Sequence, residues 1–117
     1  MMKTYHMVLC SPMGPREGAL TLDEHCGEVV GTLRILSHEI PIHGRRGTDG
    51  RLYLTHQIIT AVGEYPCQSV LEDMGGKLAG ELWMDQSGAL WGRSKYHAKT
   101  VMGWRGEQLE GMEVTPN

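Results

Sequence analysis

Six histidines, three cysteines and five serines are the side chains this chain offers for proton transfer, metal binding or nucleophilic attack. Their spacing argues against most of that chemistry. No two histidines stand in an H-x-H or H-x-x-x-H relation, the spacings that bring two imidazoles to one metal on a strand or a helix. His38 and His43 are five apart, which sends them to opposite faces of a strand. Cys10, Cys26 and Cys67 form an odd set with no C-x-x-C pair, so free thiols in a reducing cytoplasm are expected. Ser11, Ser37, Ser69, Ser87 and Ser94 all lack a G-x-S-x-G context. The glycine-rich stretches Gly44–Gly50 and Gly75-Gly76 fall between expected strands, where no helix follows to receive a phosphate. The expectation is a protein without enzymatic activity, metal or cofactor.

Composition narrows the partners. Eleven Lys and Arg stand against fourteen Asp and Glu, for a net charge of -3. Only Arg45-Arg46 is locally basic, so nucleic acid is not an expected partner. No apolar run is long enough for a membrane span or a signal peptide. Sixteen glycines are about twice the average share of 7%, and Phe is absent. That balance suits many turns and close strand crossings better than helices.

The elements that must position any site are strands. Apolar alternation recurs along the chain and a helical period is nearly absent. The strands expected in the first half are Tyr5–Leu9, Ala19–Glu24, Glu28–Ile35 and Glu39–His43. Those of the second half are Leu52–Thr60, Pro66–Glu72, Lys77–Met84 and Ala89–Arg93. Ser11-Pro12-Met13-Gly14-Pro15 and His25-Cys26-Gly27 read as turns, and Thr48-Asp49-Gly50 as a hairpin with a primed turn.

The two halves repeat each other. With Met13-Gly14 over Val62-Gly63, Leu22 falls on Leu71, Gly27 on Gly76, Val29 on Leu78, Gly31 on Gly80 and Leu33 on Leu82. Tyr5, Met7 and Leu9 fall on Leu54, His56 and Ile58, and Ile42-His43-Gly44-Arg45 falls on Leu90-Trp91-Gly92-Arg93. Each copy runs for roughly 48 residues, about four short strands with tight turns. Eight strands is the number that closes around a filled or small-ligand interior. The expected fold is therefore all-β, an eight-stranded antiparallel up-and-down barrel. Residues 1–94 would form it, with copies at about 4–48 and 52–94, and 95–117 would be an extension holding an extra strand or a tail. Gly31 and Gly80 mark the places where the sheet coils to close.

The runs Ser11-Pro12-Met13-Gly14, Gly18-Ala19-Leu20-Thr21-Leu22 and Gly27-Glu28-Val29-Val30-Gly31-Thr32-Leu33 resemble a family of small bacterial lipocalin-like barrels. The resemblance covers Tyr5 to about Arg93. It implies a calycin-type barrel and, for most such domains, no assigned function.

Parity then sorts candidate site residues. If Leu22, Leu33, Leu71 and Leu82 face inward, so do Tyr5, Met7, Leu9, Leu54, His56 and Ile58. The interior would be apolar with Tyr5, His56, Cys67 and Ser69 as polar exceptions, the usual make-up of a small-molecule site. In the leading reading Tyr5, His56 and Ser69 supply polar contacts to a small apolar or amphipathic ligand, and Met7, Leu54 and Leu82 line its walls. His56 has other roles open to it, as a core histidine bonded to Tyr5 or a carbonyl, or as a general base. The same parity turns Val8, Val30, Tyr53, Ile59, Val70, Trp83 and Trp91 outward. The alternative reading is a filled barrel that self-associates as a homo-oligomer or binds another protein, with Tyr53, Trp83, Trp91 and Trp104 at the interface.

Overall fold

Period-two alternation puts every second side chain on one face, and in this chain that face lines a cylinder. A computed structural model describes residues 2–61, 63–85 and 99–109. These residues form β1 (Met2–Ser11), β2 (Gly14–His25), β3 (Glu28–Ile35), β4 (His38–Arg46), β5 (Leu52–Thr60), β6 (Gly63–Asp73), β7 (Lys77–Asp85) and β8 (Lys99–Gln108). Each strand pairs antiparallel with the next, and β8 pairs with β1, so the sheet is a closed barrel. No helix occurs among the described residues.

The inward set follows the expected parity. Tyr5, Met7 and Leu9 of β1, Leu22 of β2 and Leu33 of β3 are buried, as are Leu54, His56 and Ile58 of β5, Leu71 of β6 and Leu82 of β7. Each fully buried Leu or Ile contributes about 1.5–3 kcal/mol from apolar surface removed from water. Gly31 and Gly80 do mark close strand crossings. A Cβ on Gly31 would collide with the Thr21 carbonyl of β2, and one on Gly80 with the Val70 carbonyl of β6.

The eighth strand differs from the expectation. Ala89–Arg93 lies outside the described residues, and the strand that closes the barrel is Lys99–Gln108. The barrel therefore runs past residue 94, into the segment expected to be an extension. Its register identifies its role. Ile40 and Ile42 of β4 stand opposite Leu33 and Gly31, while Met102 and Trp104 of β8 stand opposite Leu82 and Gly80. Met102-Gly103-Trp104 is thus the second copy of Ile40-Pro41-Ile42. Leu90-Trp91-Gly92-Arg93 shares more letters with the first copy, but ladder closure selects the strand by which side chains it turns inward.

The turns show where backbone freedom is used. Gly50 alone is left-handed in the β4–β5 connection (φ 82°), and its N–H donates to the Gly47 carbonyl at 3.0 Å. Asp49 keeps a negative φ, so the turn is not the primed type expected from Asp-Gly. Asp49 is held instead by its side chain, whose Oδ1 accepts from the Arg51 N–H at 3.0 Å and Oδ2 from the Tyr53 hydroxyl at 2.6 Å. The β3–β4 turn has Leu36 (φ 54°) and Ser37 (φ 62°) both left-handed, a conformation costing about 1–2 kcal/mol per residue. Leu36 packs against the core, which offsets that strain.

Candidate functional site

All six residues expected to contact a ligand lie inside the barrel: Tyr5, Met7, Leu54, His56, Ser69 and Leu82 are each at most 5% exposed. The structure joins two of them. His56 Nε2 lies 2.7 Å from Ser69 Oγ, and Trp104 Nε1 lies 3.0 Å from the same oxygen. His56 Nδ1 lies 3.0 Å from the Gln57 carbonyl oxygen.

Donor and acceptor types fix the protons. A carbonyl only accepts, so Nδ1 carries the imidazole proton and donates to Gln57. An indole N–H only donates, so Ser69 Oγ accepts from Trp104 and sends its own O–H to His56 Nε2. The chain Trp104 to Ser69 to His56 to Gln57 is complete, and no described buried side-chain polar atom lacks a partner. Burial lowers the His56 pKa, against the raising effect of the Gln57 hydrogen bond.

The ladder explains why an imidazole is needed there. In an antiparallel sheet a residue directs its N–H and C=O toward the same neighbour. Gln57 stands opposite Pro66 of β6, and continuing the β4–β5 register sets it opposite Pro41. Proline has no N–H, so neither opposing residue can donate to the Gln57 carbonyl. His56 supplies the missing donor from inside the barrel.

On the β4 side the ladder stops. Strands β4 and β5 pair only from His43 to Arg46 with Thr55 to Leu52. Glu39–Ile42 and His56–Ile59 run beside that break, with ladder partners on their other neighbours β3 and β6. Ile40, Ile42, His56 and Ile58 seal it from within. A surface groove of about 540 Å³ lies over the paired part of the seam, lined by Val30, His43, Arg45, Tyr53, Thr55 and Gln68, among others.

Tyr5 is not part of the trio. It lies toward the other end of the barrel, where burial and the Asp73 carboxylate raise its pKa against the lowering effect of Arg46. Arg46 ties that end together. Its Nε and Nη2 donate to the two Glu24 oxygens at 2.8 and 2.7 Å, Nη1 donates to the Gly50 carbonyl at 2.8 Å, and Nη2 lies 3.7 Å from Asp73. The Arg46 hydrogen bonds hold the Glu24 pKa below its ordinary value. Glu24 and Asp73 occupy matching positions in the two copies, a pairing that the repeat contains but that only the closed barrel brings onto one guanidinium.

The residues expected at an interface divide. Trp83 is 39% exposed and Tyr53 is half-buried on the outer wall. Trp91 lies outside the described residues. Trp104 is 3% exposed inside the barrel, so it belongs to the core and not to an outer face. The alternation Met102-x-Trp104 was the signal for this, masked by the unexpected length between β7 and β8. Nor is the outer wall a continuous apolar patch, since His43, Thr55 and Gln68 stand in register between Val30 and Trp83, and Ile59 packs against the core.

Cys10 and Cys26 are exposed and Cys67 is buried, all three as free thiols. Burial pushes the Cys67 pKa up to about 12, so it stays a neutral thiol. No group of three or more potential metal ligands occurs among the described residues, and no described helix is long and apolar enough to cross a membrane. Comparisons with protein-family models, curated proteins and solved structures find no match.

Proposed function

We propose that this barrel binds a small apolar or amphipathic molecule in its interior without chemically altering it. The observation that carries the reading is the break in the wall between β4 and β5, placed beside an interior lined by Leu, Ile and the flexible side chains of Met7, Met84 and Met102. Unbranched methionines repack around guests of different shape at small cost.

A non-catalytic role is supported by how the interior polar groups are used. Ser69 and His56 have the separation of a nucleophile and its base. Yet Ser69 Oγ is held by the Trp104 indole, and both residues are buried at 2% and 5% exposure. A substrate would have to displace the tryptophan to reach that oxygen. The free thiols suit a reducing cytoplasm, and the resemblance of the first-copy motifs to small lipocalin-like barrels suits a binding role.

A second reading is favoured by one observation, the exposure of Trp83 and Val30 on the outer wall. In that reading the barrel is filled solid and its outer face meets a second copy. Native mass spectrometry of the protein purified from its own host separates the two. An adduct present under gentle conditions and lost on denaturation supports ligand binding and supplies the ligand's mass. A bare oligomer supports self-association, and a bare monomer counts against both.

A further inference from the structure

Resting on the binding reading above, we propose that the β4–β5 break is the gate through which the ligand passes, that His56 is its latch, and that the part admitted is an uncharged hydrocarbon-like group. Among the described strands the β4–β5 seam has the fewest paired positions, four, so a guest entering there has the least hydrogen-bonded ladder to part. Between Glu39–Ile42 and His56–Ile59 no β4–β5 ladder is formed, and among the described residues the buried side chains of Ile40, Ile42, His56 and Ile58 close the way. Rotating side chains is far cheaper than breaking several backbone hydrogen bonds in sequence.

Pro41 maintains the gap. It stands where a β4 donor for Gln57 would be, and its ring cannot supply one. His56 fills the vacancy from within, which ties the imidazole to the gate's β5 edge while Ser69 and Trp104 hold its other side. Swinging His56 away would uncover both the break and the interior together. The interior polar side chains already satisfy one another, so an incoming charge would find no free partner, whereas an apolar group loses nothing by entering.

The test is to lock the gate. Glu39 and Gln57 are exposed and lie on the two edges of the break, so Glu39→Cys with Gln57→Cys allows a covalent bridge by a short, cleavable bifunctional thiol reagent and leaves Pro41 in place. Cys10→Ser and Cys26→Ser clear the exposed thiols. Val8→Cys with Arg105→Cys, register partners across β1–β8, bridges the intact seam as a control. Uptake of the neutral fluorophore phenylnaphthylamine is followed by its fluorescence rise, and maleimide labelling of buried Cys67 is followed by mass.

The expected result is that the β4–β5 bridge slows both processes by about tenfold or more, as removal of a local opening should. Breaking the bridge restores the rates, and the β1–β8 bridge leaves them unchanged. Unbridged protein that takes up no fluorophore would overturn the binding reading alone, and Cys67 labelling would still judge the gate. Labelling and uptake that are indifferent to the β4–β5 bridge, or slowed equally by the control bridge, would overturn the gate.

Discussion

The β4–β5 and β8–β1 seams occupy matching places in the two copies, yet one pairs along six positions and the other along four. The difference tracks one residue. Where β4 has Pro41, β8 has Gly103, which keeps its N–H and pairs with Cys10. A second contrast sits behind the first. The first copy places Met7, Leu20 and Ile42 at the positions where the second places His56, Ser69 and Trp104, and all six are buried. At these three positions the first copy is apolar, whereas the second forms a hydrogen-bonded chain that ends at the broken seam. An interior polar network and a missing ladder thus belong to one arrangement, because the network provides the donor that the ladder lacks.

The largest expected effect comes from breaking that arrangement at its anchor. Trp104→Ala should cost about 3–5 kcal/mol in urea unfolding, from lost burial and the cavity left behind. His56→Met, which installs the first copy's residue, should cost about 1–3 kcal/mol because the Gln57 carbonyl and the Ser69 hydroxyl lose their partner. If the trio acts as a unit, His56→Met, Ser69→Leu and Trp104→Ile combined will cost less than the sum of the three single changes. Additive losses in the same unfolding assay would mean that the polar chain is not a unit.

Acid should expose the same contrast. Burial lowers the His56 pKa from its ordinary 6.5, so the fold favours the neutral ring. Its contribution to stability is then complete above about pH 6.5 and is lost as the pH falls from there through the lowered folded value. The stability advantage of the natural protein over His56→Met should therefore shrink on acidification, which unfolding curves at several pH values can measure.

Thiol counting gives a simpler check. Cys10 and Cys26 are exposed and should react with a thiol reagent at mildly alkaline pH at once, while Cys67, buried with its pKa pushed up to about 12, reacts only after unfolding or opening. The smallest effect is expected at the seam itself. Pro41→Ala restores a donor worth about 0.5–1.5 kcal/mol but loosens the unfolded chain by about 0.4–1 kcal/mol, so net stability should hardly move. Amide exchange along His56–Thr60 should nevertheless slow, and unchanged exchange would show that proline is not what keeps the seam apart.

Much of the barrel was legible in the linear pattern. The parity of Tyr5, Met7 and Leu9, the matching Leu54, His56 and Ile58, and the repeated Gly31 and Gly80 determine which face is buried and where strands cross closely. These follow from side-chain alternation, a local property that a sequence displays directly. Trp104 was misplaced because an insertion between β7 and β8 broke the spacing on which the repeat was counted. Three things were decided only by tertiary structure: which segment closes the barrel, that Trp104, Ser69 and His56 meet, and that the β4–β5 ladder stops at His43 and Thr55. Each depends on strand register across distant parts of the chain, and register is settled by ladder closure and core volume, which no local pattern encodes.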